Sequence, residues 1–335
     1  IFPLSPGLRG KNMKNIVVTF DVTKEGKEII SQELGNSLPI FYLQEENDRE
    51  KILEKANILI SWNPNRELRD EEYQLLKKVE IMQLISAGVD HVPFSKLSEN
   101  QTVLGNVGAY AQPMAEHTIA LILTLAKRLF IEYQKLKENI FDQSSKNRML
   151  KGLTCGILGL GGIGKAIARL LKAFGVKIMA LNTSGVTDVQ VEFIGTLKNL
   201  DKILKESDII VIALPLSRKT RNLIGKRELN LMKDNAILIN VSRGGIIEEK
   251  ALYEHLKSHP YFMAGIDAWW VEPFQQGKFE VHYPFFDLPN FIGSPHNSGI
   301  VEGAIEEAIK FASLNVKNYL DSREIRGVTS REDYN

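Results

Sequence analysis

The chain of 335 residues is 44% hydrophobic and 25% charged, the makeup of a folded globular protein rather than a disordered or fibrous one, and it is long enough for two cores. Its formal net charge of +1 offers no broad field to nucleic acid or anionic lipid, and no long basic run with interleaved aromatics occurs. A single cysteine, Cys155, excludes an intrachain disulfide framework and any multi-cysteine metal site, and fits a reducing, cytoplasmic compartment.

Residues 1–12, "IFPLSPGLRGKN", show no signal-peptide pattern and read as a non-native remnant, because Met13 opens "MKNIVVTF", a natural first strand. From Asn15 the β-branched runs "NIVVTF", "LPIFYL", "NILIS" and "IMQLIS" alternate with polar, helix-compatible segments. That rhythm predicts parallel strands with helical crossovers. "SWNPN" follows the third strand and exposes no cation for a phosphorylated substrate, so Trp62 is expected to wall a pocket for an unphosphorylated one, with help from Trp269 or Trp270; an interface or core role for these tryptophans is an equal alternative. "SAGVDHV" follows the fourth strand, where the amides around Ala87 and Gly88 could cradle a carboxylate. His91 in that loop reads as a loop residue, and His117 in "AEHT" as a packing residue of a helix from about Tyr110 to Leu136. The apolar stretch of that helix, Ile119 to Ala126, is too short to cross a bilayer.

A second series follows: "TCGILGL", "VKIMAL", "DIIVIAL", "NAILINV", "FMAGIDAW" and "NFIG". Cys155 sits in an apolar run and reads as a packed small hydrophobe. Next comes "GLGGIG", with Gly159, Gly161 and Gly164 in G-x-G-x-x-G spacing between a strand and an amphipathic helix that Gly175 ends. In such a βαβ unit the first glycine permits a tight turn, the second lets backbone approach a pyrophosphate, and the third lets helix and strand pack closely. The helix N-terminus adds N–H donors for phosphate. A dinucleotide site is therefore expected here.

At the end of the next strand the carboxylate that would bind a ribose 2′-hydroxyl is replaced by Asn182, Thr183 and Ser184. This neutral trio favours NADP over NAD, with Arg218 or Lys219 available to a 2′-phosphate. The alternative is that Asn182 makes a weaker ribose contact to NAD. Three further candidates follow later strands: Arg243 in "NVSRGG", Glu272 in "DAWWVEP" and His296 in "SPHNSG". Loops at the carboxyl ends of parallel strands share one edge, so the three can converge. A group of near-neutral pKa can give or take a proton at a bound ligand, which suits His296. Glu272 on the other ring nitrogen would fix the tautomer and favour the imidazolium, and Arg243 would hold and polarise the substrate through its planar fork.

Together with "SAGVDHV", "GNVGAYAQPMAEHT", "GILGLGGIGKAIARLLKAFG", "LPLSRKTRNLIGKRELNLMK", "ILINVSRGGIIEEKAL" and "GIDAWWVEP", these segments make the chain resemble the D-isomer-specific 2-hydroxyacid dehydrogenases over nearly its whole length. The resemblance implies an α/β chain of two doubly wound parallel-sheet domains, with a Rossmann cofactor domain (105–296) inserted into a flavodoxin-like substrate domain (13–104 and 297–330). It also implies a homodimer formed largely through the cofactor domains. Carried onto this sequence, Arg243 binds substrate, Glu272 partners the histidine and His296 is the acid/base. Cofactor contacts fall on Gly159, Gly161, Gly162, Ile163, Gly164, Asn182, Thr183, Ser184, Leu214, Pro215, Thr220, Val241, Ser242 and Asp267, the last against the nicotinamide carboxamide. Substrate contacts fall on Trp62, Ala87 and Gly88, and no metal is expected. The implied activity interconverts a small 2-keto acid and its D-2-hydroxy acid. Rival readings are a formate or phosphite dehydrogenase, against which Glu272 argues in the formate case, and a nucleotide-sensing corepressor.

Overall fold

The structure is a computed structural model, and it describes residues 14–35 and 38–334; the non-native remnant expected over residues 1–12 lies outside the described residues. The chain divides into two compact units, one running up to Asn106 and resumed over Ile305–Thr329, the other spanning Val107–Ala304 with Ser330–Tyr334. The later boundary therefore falls at 304/305 rather than at the expected 296/297. The segment after His296 stays with the second unit because the amides of Asn297 and Ser298 are bonded to Asp267.

The first unit holds five parallel strands, β1 (Ile16–Val18), β2 (Ile40–Tyr42), β3 (Ile58–Ser61), β4 (Ile81–Leu84) and β5 (Thr102–Leu104), in the order β2-β1-β3-β4-β5. This is the flavodoxin-like order, with its switch point between β1 and β3. The β1, β3 and β4 residues are buried on both faces, as parallel strands covered by helices must be. The helix Lys24–Leu34 starts where Thr23 accepts the amide hydrogen bond of Gly26 and satisfies one of the orphan donors of its first turn.

A buried amide network ties the returning C-terminal segment to this sheet. Asn315 donates to the Gln83 side chain at 2.7 Å and accepts from the Arg326 amide at 2.9 Å. Asn106 donates to the carbonyls of Ile85 and Ala308. Losing one partner would strand a buried polar group at a cost of about 1–3 kcal/mol.

The second unit holds seven parallel strands: β6 (Thr154–Leu158), β7 (Lys177–Leu181), β8 (Phe193–Gly195), β9 (Ile209–Ile212), β10 (Ile237–Asn240), β11 (Met263–Ile266) and β12 (Phe291–Gly293). Their order is β12-β11-β10-β9-β6-β7-β8. Chain direction across the sheet reverses between β6 and β9, which is the Rossmann switch point and places ligand binding at the carboxyl ends of these strands. Helix Gly162–Ala173 lays Ile167, Ala168 and Leu171 onto this sheet. Cys155 is fully buried and its thiol pKa is raised by that burial, so it acts as packing.

The single helix expected from Tyr110 to Leu136 is in fact two, Ala111–Ala126 and Leu129–Lys137. Arg128 between them adopts a left-handed backbone (φ 54°), which no helix continues. Apolar periodicity alone hid the break. The first helix buries Ala115, Ile119, Ile122 and Leu125, whereas the second buries none of its residues.

Candidate active site

The glycine loop joins β6 to helix Gly162–Ala173. Gly159 has φ 105°, and a Cβ on Gly164 would lie 2.1 Å from the Gly159 carbonyl oxygen, so the turn and the helix start can approach only without side chains. Gly161 differs: a Cβ there would meet no protein atom within 4 Å. The space it leaves is open on the side where a phosphate would lie. The helix start leaves the amides of Gly162, Ile163 and Gly164 without intrahelical acceptors, a donor set suited to an anion. This cradle fits a dinucleotide pyrophosphate.

Asn182 follows β7. Its Nδ2 donates to the Val186 carbonyl at 2.7 Å and its Oδ1 accepts from the Gly185 amide at 2.7 Å, so both ends of the amide close their own turn. Thr183 and Ser184 are exposed beside it. Lys219, one of the two cations offered for a 2′-phosphate, pairs with Asp333 at 2.7 Å. After β9, Thr220 is buried and ties its loop by donating to the Pro215 carbonyl at 2.7 Å and accepting from the Ser217 amide at 2.8 Å; Leu214 packs against the core.

After β10, the Asn240 side chain organises the next turn, accepting from the Ser242 amide and hydroxyl and donating to the Arg243 carbonyl at 2.9 Å. Val241 and Ser242 are buried, and Arg243 is half-buried, with its Nη1 on the Ser242 carbonyl at 2.8 Å. A Cβ on Gly244 would lie 2.2 Å from the carbonyl carbon of Trp269, so this glycine lets the Arg243 loop press against the chain just before Glu272.

Glu272 uses its two oxygens differently. Oε1 accepts from the Trp269 amide at 2.6 Å, and Oε2 lies 2.7 Å from Nδ1 of His296. A carboxylate only accepts, so Nδ1 carries hydrogen and Nε2 is the nitrogen left to exchange a proton with a substrate. His296 has a left-handed backbone, φ 49°, unusual for a residue with a side chain. Its amide donates to the Asp267 carbonyl at 2.9 Å.

The structure brings Glu272 and His296 into direct contact, as their loop positions implied. Asp267 is wholly buried. Its carboxylate accepts from Ser294 Oγ at 2.6 Å and from the amides of Asn297 and Ser298, each at 3.1 Å. Burial by itself would raise its pKa, but the hydrogen bonds from Ser294 and Ser298 and the positive charge of His296 hold it below the usual carboxylate range.

Of the two readings open for Trp269 and Trp270, the structure shows packing. Trp269 is core, with Nε1 donating to the Ser294 carbonyl at 2.7 Å; Trp270 stacks on Phe285 at 5.4 Å and donates to the Ile247 carbonyl. Each indole N–H is thus committed to a backbone carbonyl, and each ring packs on neighbouring aromatics.

In the first unit, Trp62 stands at the carboxyl end of β3, 37% exposed, its ring edge-on to Phe20 at 6.3 Å. Sequence reasoning missed the residue that sets it there. Glu67 accepts from the Thr19 and Ser61 hydroxyls, each at 2.6 Å, and from the Trp62 amide. His91 meets the Trp62 carbonyl at 2.9 Å through Nε2, as a loop residue would. Ala87 and Gly88 lie in the loop after β4, where the Ser86 hydroxyl donates to the Gly88 carbonyl at 3.0 Å.

The family pattern described as D-isomer specific 2-hydroxyacid dehydrogenase, NAD binding domain, matches residues 119–298. The chain belongs to the D-isomer-specific 2-hydroxyacid dehydrogenase family. It is similar to the hydroxypyruvate reductase of Thermotoga maritima, 31% identical over 278 residues that cover 82% of this chain and 85% of that protein. The glyoxylate reductase of Thermococcus gammatolerans is 27% identical over 319 residues, 90% of this chain and 91% of that one. Among solved structures, D-lactate dehydrogenase from Aquifex aeolicus, complexed with NAD and lactic acid, superimposes with a TM-score of 0.68 at 26% identity, covering 92% of this chain and 96% of that one.

The chain is thus an oxidoreductase that acts on a CH–OH group with a nicotinamide cofactor, and the corepressor and formate or phosphite alternatives are not favoured. Among the described residues, no helix is long and apolar enough to cross a membrane, and no group of three or more His, Cys, Asp or Glu side chains could hold a metal ion.

Proposed function

We propose that this protein reduces a small, unphosphorylated 2-keto acid to its D-2-hydroxy acid, with His296 as proton donor. The observation that carries the reading is the 2.7 Å contact between Glu272 Oε2 and His296 Nδ1. The unit containing Val107–Ala304 serves as the cofactor domain and the other unit as the substrate domain. A bound reduced nicotinamide supplies the hydride that the substrate's carbonyl carbon accepts. The first-turn amides of helix Gly162–Ala173 hold the pyrophosphate.

The residues of the chain do the rest. Arg243 grips the substrate carboxylate and keto oxygen through its fork, which aligns and polarises the carbonyl. The Nε2 hydrogen of the His296 imidazolium moves to the carbonyl oxygen as charge develops there, and the ring is left neutral with hydrogen on Nδ1. Glu272, accepting from Nδ1, keeps the neutral ring in the one tautomer that leaves Nε2 to the substrate. The amides around Ala87 and Gly88 supply further donors to the carboxylate, and Trp62 bounds the side-chain pocket.

Glyoxylate and hydroxypyruvate are the first candidates, from the names of the similar reductases. A phosphorylated acid is disfavoured because the β3 exit presents Ser61 and Trp62 rather than a cation. NADP is the preferred cofactor, since no carboxylate follows β7 to repel a 2′-phosphate.

A homodimer joined through the cofactor domain fits the apolar side chains of helix Leu129–Lys137. Leu129, Phe130, Tyr133 and Leu136 are all exposed there, and Phe141 beyond it is 78% exposed. The compartment proposed is the cytoplasm.

The deciding experiment follows oxidation of NADPH and NADH in parallel with glyoxylate, hydroxypyruvate, pyruvate, phenylpyruvate and 3-phosphohydroxypyruvate. Turnover of an unphosphorylated acid that drops about 10²- to 10⁴-fold in His296→Ala, with cofactor still bound, is the expected result. Near-normal turnover in that variant overturns the role of His296, and a preference for the phosphorylated acid overturns the substrate class.

A further inference from the structure

We infer that His117, on helix Ala111–Ala126, is a positioning residue for the His296 loop, acting through the Ser294 hydroxyl and the Asp267 carboxylate. Nε2 of His117 lies 2.8 Å from Ser294 Oγ, and Ser294 Oγ lies 2.6 Å from Asp267 Oδ1. The direction of these bonds follows from donor and acceptor chemistry. A carboxylate only accepts, so the serine hydrogen goes to Asp267, and the serine oxygen can only accept from His117. Nε2 of His117 therefore carries hydrogen. The same nitrogen stands 3.7 Å from Asp267 Oδ1.

Asp267 in turn holds the backbone around His296. It takes the amides of Asn297 and Ser298 on its carboxylate and the amide of His296 on its main-chain carbonyl. Those bonds over-determine a backbone that needs it. The left-handed conformation of His296 is strained in a residue with a Cβ and persists only where its surroundings enforce it. His117 is separated by 177 positions from the serine it anchors. The relay thus ties the loop to a helix packed against the sheet, and without the His117 donor one side of the Ser294–Asp267 pair is left open. The loop then relaxes, and Nε2 of His296 leaves the position that Glu272 alone cannot define.

For its kinetic consequence this inference rests on the reductase reading above; its structural consequence does not. Three variants test it: His117→Phe, which keeps ring volume and loses the donor; His117→Gln, whose amide nitrogen can reach the place of Nε2; and Ser294→Ala, which removes a single oxygen and serves where Phe disturbs folding. With histidine labelled at the Cε1 ring carbon, the resonance of His296 is assigned by its loss in His296→Ala. It is expected to move in His117→Phe and in Ser294→Ala, and to return towards the wild-type position in His117→Gln.

In turnover, His117→Phe is expected to lose about 10- to 100-fold in kcat with cofactor affinity within threefold, and His117→Gln to recover to within threefold of wild type. The double variant His117→Phe with Ser294→Ala should be no worse than the poorer single, since both cut one chain. An unmoved His296 resonance in His117→Phe and Ser294→Ala overturns the inference, as does a Gln variant no better than Phe. If wild type reduces no 2-keto acid, the reductase reading fails while the ring-carbon measurement still decides the role of His117.

Discussion

Glu272 holds His296 with one carboxylate oxygen, Oε2 to Nδ1 at 2.7 Å, and its own loop with the other, Oε1 to the Trp269 amide at 2.6 Å. The carboxylate is therefore fixed before substrate arrives, and the ring it orients does not have to be ordered during the reaction.

Replacing Glu272 by Gln keeps the side-chain shape but removes the negative charge, and the amide can turn its NH₂ toward Nδ1 and impose the wrong tautomer. The expected result is a kcat lowered by about 10²-fold, roughly 3 kcal/mol of barrier, with the KM for substrate changed less than threefold. Steady-state kinetics check this; a loss confined to KM would mean that Glu272 contributes to binding rather than to proton transfer.

Gly161 and Gly164 make opposite predictions. A Cβ at 164 would strike the Gly159 carbonyl at 2.1 Å, so Gly164→Ala should lower the melting temperature and weaken cofactor binding together. A Cβ at 161 meets no protein atom within 4 Å, so Gly161→Ala should melt like the wild type while cofactor Kd rises at least tenfold. Thermal melts paired with fluorescence titration of NADH and NADPH separate the two. Unchanged affinity in a well-folded Gly161→Ala would remove the phosphate cradle from this turn.

Asn182→Asp restores the carboxylate that the ribose 2′-hydroxyl would use. It should move the ratio of NADH to NADPH affinity at least tenfold toward NADH. It should also cost about 1 kcal/mol of stability, because the 2.7 Å donation from Nδ2 to the Val186 carbonyl becomes a contact between two acceptors. Parallel titrations and a denaturant series read both effects; an unchanged cofactor ratio would show that this position does not face the ribose.

His255 governs an acid-range stability change. Burial, and then the charge of the neighbouring His259, push its pKa from 6.5 down to about 4. The unfolded chain takes a proton on this ring below pH 6.5, whereas the folded protein refuses it until about pH 4. Stability present above pH 6.5 is therefore lost as pH falls toward 4, by up to about 3 kcal/mol. His255→Phe retains the ring that stacks on His259 at 4.0 Å and meets Phe262 edge-on at 4.6 Å. Its melting temperature should decline less steeply than that of the wild type between pH 6.5 and 4, and parallel slopes would contradict the assignment.

Much of the architecture was legible because parallel strands buried on both faces must be nearly continuous apolar runs, as "NILIS" and "DIIVIAL" are. β5 (Thr102–Leu104) and β8 (Phe193–Gly195) escaped, three residues each at one edge of their sheets, although β2 and β12, equally short and also at edges, were read from "LPIFYL" and "NFIG". The break at Arg128 escaped because a left-handed residue other than glycine leaves no compositional mark.

The site divides along the same line. The sequence alone determined the glycine turn and the loops that carry Arg243, Glu272 and His296, because G-x-G-x-x-G spacing and strand ends follow from local covalent geometry. Only the tertiary structure decided what those side chains touch: that Asn182 spends its amide on its own turn, that Trp269 is core and Trp270 packs on Phe285, that Glu67 sets Trp62, and that His117 reaches Ser294. Each of these is a hydrogen bond or a ring contact whose partner is chosen by how strands and helices pack. Distance along the chain carries no record of that choice.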